Sequence, residues 1–345
     1  KSVEAASNGR NTVLYTAKGQ PCYMGIVAHT DMAAVNTELG ITRHPAFIVN
    51  GVDKSEFFYG LYLGFESNGE LISVPGVDPK NNVTFDAAVT LCRANGSGWH
   101  VGSNPEFSAL ALWCRKNGFQ PRGNTDYGRS SDLSTERGVD TVTGRLALTT
   151  GTATKRTRTG SGPVSWRHDN SPFGISDMCG NTWEWQTGVR VNMGEIQIHE
   201  NNNAALVTAD FSAGSAAWKA IDGATGALVA PGTAGTVKYA NANSGTADFT
   251  LYRASGGSFE GMVNSTGANP VGAAALTLLK SLCMFPIASA GLGGDAFYLN
   301  TAIEALPLRG GYWAGAAGAG VFSLACTDAR SYSYTYLGVR PAFVL

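Results

Sequence analysis

The segment Phe173-Gly174-Ile175-Ser176-Asp177-Met178-Cys179-Gly180-Asn181-Thr182-Trp183-Glu184-Trp185 constrains the fold more than any other part of the 345-residue chain. Gly180-Asn181 is a tight-turn dipeptide, because both residue types tolerate positive φ. On a strand leaving that turn, Trp183 and Trp185 are two apart and point to the same side, where two indoles fill a large volume of core. Glu184 faces the other way. The segment reads as a core-building corner, and a structural Glu184 is favoured over a catalytic one. Such a chain needs many further turns. Glycine supplies them: 44 of 345 residues with no Gly-X-Y period, nearly twice the usual ~7%.

Charge is low and balanced, 25 Lys plus Arg against 26 Asp plus Glu. That argues against a nucleic-acid face built on bulk charge, and no Lys/Arg run reverses it. Low charge with 10% aromatic residues argues against disorder. The longest apolar stretch, Ala273 to Ala290, is cut by Lys280, Ser281 and Pro286, so no membrane span is expected. The start at Lys1, without Met or a signal-peptide pattern, reads as that of a processed product and leaves localisation open.

Residues 1–40 are weakly patterned and read as an N-terminal extension. Pro45–Val49 and Glu56–Phe65 read as two strands around the turn Asn50-Gly51. Val83 to Ala94 predicts a helix capped by Thr84, with Ala88, Leu91 and Cys92 among its apolar positions. A second helix is expected from about Pro105 to Lys116, with Asn104 as its cap and Gly118 as its stop. Residues 120–165 are polar and irregular, and Lys155, Arg156 and Arg158 read as a solvated loop. From about 194 to 250, short strand-like pieces separated by Gly-Thr, Ala-Gly and Pro-Gly turns predict a β-rich insertion. Pro270 to Met284 reads as a third helix, and Leu308 to Leu345 as a final β-rich segment.

Several chemical motifs fail. Gly291-Leu292-Gly293-Gly294-Asp295-Ala296 loosely matches a dinucleotide fingerprint, but Pro286 sits in the strand it needs and no βαβ alternation surrounds it. The histidines at 29, 44, 100, 168 and 199 share no metal-ligand spacing. His168-Asp169 beside Trp166 reads as a hydrogen-bonded structural pair. Six cysteines, at 22, 92, 114, 179, 283 and 326, form no C-x-x-C and are expected to be mostly buried thiols. No catalytic residue, metal or cofactor is assigned.

Gly180-Asn181-Thr182-Trp183-Glu184-Trp185 resembles the G-N-x-W-E-W signature of the formylglycine-generating-enzyme-like branch of the C-type lectin fold. Three further segments resemble that family in order. They are Val83-Thr84-Phe85-Asp86-Ala87-Ala88 with Cys92-Arg93, then Gly98-Trp99-His100-Val101 with Pro105-Glu106-Phe107, then Arg309-Gly310-Gly311 with Leu337-Gly338-Val339-Arg340. Val101-Gly102-Ser103 departs from the family's usual Leu-Pro-Thr. The resemblance implies an α+β C-type lectin-like domain over 41–345, interrupted by the 194–250 insertion. The family's sulfatase-modifying enzymes carry two cysteines shortly after R-G-G for copper and oxygen chemistry. Here residues 312–320 contain no thiol and Cys326 stands alone, so that activity is not expected.

The segment 309–340 instead resembles the variable region of proteins diversified by retroelements, which share the C-type lectin fold. Trp313, Ala319-Gly320-Val321-Phe322, Leu324, Ala329-Arg330-Ser331, Ser333 and Gly338-Val339-Arg340-Pro341 match the fixed part of that pattern. The positions between are reachable from an Asn codon by changing its adenines, as this diversification does. Trp, Met, Lys, Gln and Glu are not reachable, and between 312 and 336 they occur only as the framework Trp313. The resemblance implies that Tyr312, Ala314, Gly315, Ala317, Ala325, Thr327, Asp328, Tyr332, Tyr334, Thr335 and Tyr336 contact ligand. Trp183, Trp185, Trp313 and Arg340 form the framework.

The residue types agree with a binding face. On a strand, Tyr332, Tyr334 and Tyr336 would present on one side. Tyrosine gives large, rigid, amphipathic contact at low entropy cost, and small neighbours leave concave space. The expected partner is a host or cell-surface receptor, protein or glycan. The expected location is a virion tail or fibre, or a cell surface. Two other readings stay open: an oxygenase-type enzyme of the same fold, and a structural virion subunit whose tyrosines are buried in a homo-oligomer interface.

Overall fold

The corner around Gly180-Asn181 takes its expected form in the computed structural model, which describes residues 1–253 and 256–345. Gly180 and Asn181 have φ of 72° and 64°. A Cβ on Gly180 would meet the Asn124 carbonyl oxygen at 2.2 Å, so only glycine fits. The strand Trp183–Trp185 runs antiparallel to Glu304–Arg309 and parallel to Leu337–Gly338. Trp183 and Trp185 are both buried in one core cluster. The Trp185 indole donates to the Val83 carbonyl at 2.9 Å and meets Phe85 edge-on. On the other side, Glu184 accepts from Nε and Nη2 of Arg340, both at 2.8 Å, and neither residue is exposed. Burial pushes the Glu184 carboxyl up, with Arg340 opposing the shift. Glu184 is therefore a structural anchor for the C-terminal segment.

The architecture mixes helices and sheets. A five-stranded sheet has the order Asn11–Tyr15, Pro21–Ala28, Glu56–Gly60, Pro341–Phe343, Trp99–Val101. Residues 1–40 thus supply two of its strands. A twelve-stranded sheet collects the strands from Trp183–Trp185 through Leu337–Gly338, among them Glu304–Arg309 and Leu324–Asp328. The helix Asn104–Lys116 is buried along most of its length, and the helices Ala33–Leu39 and Ala273–Ser281 pack against it. Its cap is Ser103, one residue before the expected Asn104. The Ser103 hydroxyl accepts from the Glu106 N–H, and the Glu106 carboxylate accepts from the Ser103 N–H. Asn104 is recruited elsewhere: its Oδ1 accepts from Arg309 Nε at 3.0 Å.

The helix expected at 83–94 runs Phe85–Arg93, with Thr84 accepting from the Ala87 N–H. The stretch 45–65 is more broken than expected. A 3-10 turn Pro45–Phe47 precedes a short hairpin, Ile48–Val49 with Val52–Asp53, around Asn50-Gly51. Proline at the first position favours that turn over a strand. Between 189 and 264, strands Val189–Asn192, Glu195–Ile198, Lys219–Ile221, Leu228–Val229, Lys238–Ala240, Thr250–Tyr252 and Val263–Asn264 form one continuous part of the larger sheet. Val189–Asn192 joins it to Glu304–Arg309. All six cysteines are free and buried.

Candidate functional site

Arg309-Gly310-Gly311 opens the C-terminal segment, and its roles are structural. Arg309 is fully buried. Its Nη2 donates to the Leu282 and Cys283 carbonyls at 3.1 and 2.8 Å, just beyond the helix Ala273–Ser281. A cation there complements the negative end of the helix. Gly311 has φ 85°, and a Cβ on it would sit 2.4 Å from the Ala319 methyl. The next turn therefore folds tightly back, through the 3-10 turn Ala316–Gly318. The polar loop before residue 132 holds it: Tyr127 N–H donates to the Trp313 carbonyl at 2.7 Å, and Ala316 N–H to the Thr125 carbonyl at 2.9 Å. Ala316 and Ala317, with Asp295, Asp132 and Ser131, line a concavity of about 110 Å³.

The tyrosines come together as a ladder. Ring centroids are 5.0 Å apart for Tyr332–Tyr334, 5.2 Å for Tyr334–Tyr336 and 5.2 Å for Tyr336–Tyr312. Trp313 closes the row edge-on to Tyr312 and Tyr336. Tyr332 and Tyr334 are 42% and 45% exposed, whereas Trp313 is 5% exposed, so the outer rungs are open and the end is anchored. The expected strand through 332–336 is absent. Residues 332–334 are irregular chain and 335–336 a turn. Their backbone is nonetheless held at several points. The Tyr334 carbonyl accepts from the Asn82 and Leu337 N–H groups, and the Tyr336 carbonyl from the Trp183 N–H. Arg156 donates to the Thr335 carbonyl at 3.2 Å and grips Asp78 with two bonds of 2.8 and 2.9 Å. Arg156, expected in a solvated loop, is thus a strut beneath the ladder.

The remaining expected contacts divide. Ala317 and Thr335 are exposed, and Ala314, Gly315, Thr327 and Asp328 are partly exposed. Thr327 donates to Asp328 at 2.8 Å. Burial pushes the Asp328 carboxyl up, and that hydrogen bond opposes the shift. Ala325 does not reach the face. It is 4% exposed and packs in the core cluster of Trp183 and Leu337, so its methyl has nothing to offer a ligand. Arg330 accounts for the expected constancy of 329–331: it donates to both Glu304 oxygens at 3.0 and 2.9 Å and to Asp86 at 3.0 Å.

Sequence reasoning missed Tyr298. It is 42% exposed between buried Phe297 and Leu299, and its ring meets Trp183 edge-on at 6.2 Å. The alternation in Phe297-Tyr298-Leu299 is the signal that marks it. The thiols give no sign of activation. Burial pushes Cys326 up to about 12 and Cys283 up to about 11, the reverse of what a nucleophile or thiolate ligand needs.

No protein-family model matches the chain, and a comparison with curated protein sequences finds no relative. Among solved structures, it is similar to the U1 variant of major tropism determinant at 14% identity, covering 86% of this chain and 51% of that one, with a TM-score of 0.33. The P3c variant gives the same values. It is also similar to Treponema denticola variable protein 1 at 11% identity, covering 96% of this chain and 98% of that one, with a TM-score of 0.35. The chain spans about half the length of the tropism-determinant chains. These likenesses are too distant to transfer any residue's role.

Proposed function

We propose that this chain is a ligand-binding variable protein of the C-type lectin fold, in its formylglycine-generating-enzyme-like branch, whose 309–340 segment is diversified to recognise a receptor. The observation that carries this reading is the aromatic ladder. Tyr332, Tyr334, Tyr336 and Tyr312 follow one another in a row, with Tyr334 stacked on Tyr336 and the other pairs tilted, and Tyr332 and Tyr334 are open to solvent. Meanwhile their backbone is tied to Asn82, Leu337, Trp183 and Arg156. A face with fixed backbone and exposed rings is pre-organised, so little order is lost on binding. Because the backbone contacts do not depend on the side chains displayed, the residues at 312, 314, 315, 317, 327, 328, 332 and 334–336 can change without refolding the segment. The partner is a receptor on a host or cell surface, protein or glycan. The chain acts from a virion tail or fibre, or from a cell surface. Weak single contacts would be multiplied by many copies.

The test is deep sequencing of the 3′ end of the gene across a natural population. Substitutions are expected at 312, 314, 315, 317, 327, 328, 332 and 334–336, with Trp313, 319–322 and 329–331 constant. Ala325, buried under the face, is expected to vary only among small residues. Uniform sequence across 312–336 would sink the diversification reading.

A further inference from the structure

The concavity of about 110 Å³ beside the turn Ala316–Gly318 differs in chemistry from the tyrosine ladder. No aromatic ring lines it. Polar side chains from 120–132 and Asp295 make up one part of its lining, and Pro121, Cys179, Ala316, Ala317 and Ala319 the apolar part. Asp295 is the buried charge among them, 3% exposed.

Two acceptors stand side by side there. The Phe322 N–H donates to Asp295 Oδ2 at 2.7 Å, and the next N–H, that of Ser323, is taken by the Gly320 carbonyl at 3.0 Å. Oδ1 receives no hydrogen bond among the described residues and stays open to solvent. A Cβ on Gly320 would lie 2.2 Å from Oδ1, so glycine at 320 keeps the carboxylate uncovered. A Cβ on Gly293 would lie 2.6 Å from Oδ1 and 2.5 Å from Gln120 Oε1, which puts these two oxygens within about 5 Å of each other. Gln120 Nε2 is spent on the Gly291 carbonyl at 2.9 Å, and Oε1 is left as the open end of the amide. An ammonium nitrogen bonded to two acceptors at about 2.8 Å, at the tetrahedral angle, needs them about 4.6 Å apart.

The surrounding charges set the sign of the ligand. Arg122 is the cation of the lining, and both oxygens of Glu136 hold it through Nε and Nη2. The exposed Asp132 and Glu260, whose carboxylate accepts from the Leu292 N–H at 2.7 Å, carry the same sign as Asp295. Burial, reinforced by these two carboxylates, pushes Asp295 up to about 7 against the Phe322 N–H. Burial also pushes the Cys179 thiol well up, so it is neutral at pH 7. A cation entering beside Asp295 therefore takes the place of its proton. A metal ion is a poor match, because among the described residues no three His, Cys, Asp or Glu side chains converge, and calcium takes about six to eight oxygens. A guanidinium grips both oxygens of a carboxylate with parallel N–H bonds, and Oδ2 is already engaged. At roughly 30 Å³ per water, the space holds about four water-sized groups: an ammonium and the last methylenes of its stem, not an amino-sugar ring of about twelve heavy atoms. The apolar residues of the lining suit those methylenes.

We propose that this concavity takes a primary ammonium, the head of a lysine side chain on the receptor, with Asp295 Oδ1 and Gln120 Oε1 as its acceptors. The exposed Ala317, one of the displayed positions, also lines it. Its use by a receptor rests on the reading of 309–340 as a binding face; ammonium binding itself does not. The test is NMR titration of the intact chain with Nα-acetyl-lysine methylamide. Two controls are its Nε-acetyl form, which loses the charge, and its Nε-trimethyl form, which keeps the charge and loses the donors. The lysine compound is expected to saturate at pH 8 with a roughly millimolar Kd. At pH 5.5, where Asp295 holds its proton, it should bind at least about tenfold more weakly. Both modified forms should be weaker by at least about tenfold at pH 8. Asp295→Asn should lose the binding, with its thermal melt confirming the fold, and Gln120→Leu should weaken it about fivefold. No saturation, equal affinity at the two pH values, equal affinity for the Nε-acetyl form, or undiminished binding by a folded Asp295→Asn would each overturn the proposal. So would tighter binding of glucosamine or of calcium ion. If Asp295→Asn does not fold, the Nε-acetyl form and the two pH values on the unaltered chain decide. Failure here leaves the tyrosine ladder untouched, and a uniform 312–336 segment in the population leaves the ammonium site standing.

Discussion

Trp183 and Trp185 have the same spacing as Tyr332, Tyr334 and Tyr336, yet the first pair is buried and the outer tyrosines lie open. The difference comes from what surrounds each backbone. Trp183–Trp185 is paired on both edges, by Glu304–Arg309 and Leu337–Gly338. That fixes the strand in the middle of a sheet, and Phe85 closes over the Trp185 indole. Residues 332–336 have no partner strand. Their carbonyls are taken one at a time by Asn82, Leu337, Arg156 and Trp183. The outer rings stay 42% and 45% exposed and cover one another. Alternation in a sequence reports which side a residue faces; whether that side is covered is decided by distant parts of the chain.

The largest expected effect separates these two regions. Trp185→Ala would leave a cavity beside Phe85 and Leu308 and strand the Val83 carbonyl that its indole N–H satisfies. A loss of about 3–5 kcal/mol is expected in urea denaturation. A loss under about 1 kcal/mol would mean the corner relaxes around the gap, and the contrast with the open ladder would disappear.

A second effect tests what lies beneath the C-terminal face. Asp295 is buried, and one of its oxygens accepts from the Phe322 N–H at 2.7 Å, under the framework block 319–322. Burial pushes its carboxyl from 3.8 up to about 7. The folded chain therefore holds this proton across a range where the unfolded chain has released it. The associated stability is present in full below about pH 4 and is lost as pH rises through about 7. On the order of 4 kcal/mol separates the two limits. Asp295→Asn should thus stabilise the chain at pH 8 relative to the wild type and show little gain at pH 4. Denaturation curves at both pH values check the sign, and an equal effect at both would show that Asp295 does not titrate with folding.

Legibility followed the range of the interactions. The helices at 85–93 and 104–116 could be read because caps and apolar spacing are local. The cap falls at Ser103 and not at Asn104: both residue types cap well, but Arg309, far along the chain, takes the side chain of Asn104. The Glu184–Arg340 pair spans 156 positions. Each member sits in a recognisable motif, but nothing local says that the motifs meet. The same holds for Arg156, whose neighbours in sequence suggest a solvated loop and whose partners are Asp78 and Thr335. At the candidate site, the aromatic row was legible from alternation, and its lack of a partner strand was not. Ala325 shows the reverse failure: its place in the variable pattern suggested contact, while its position on Leu324–Asp328 turns it inward.

The smallest expected stability effect carries the most functional information. Tyr334 is 45% exposed, with Tyr332 and Tyr336 on either side of it in the ladder. Tyr334→Ala removes two ring contacts, each worth about 0.5–1.5 kcal/mol when buried. Exposure and the intact backbone bonds of residue 334 reduce the net change to within about 0.5 kcal/mol. Binding should respond far more, because Tyr334 stands between Tyr332 and Tyr336 and holds both rings in place. Once a receptor is in hand, the variant should lose affinity mainly through faster dissociation, with the melting curve almost unmoved. Stability losses equal to those of Trp185→Ala would place the ladder in a buried interface between copies. The assembly state of Tyr334→Ala, measured by light scattering, would then show dissociation, and the structural-subunit reading would replace the receptor face.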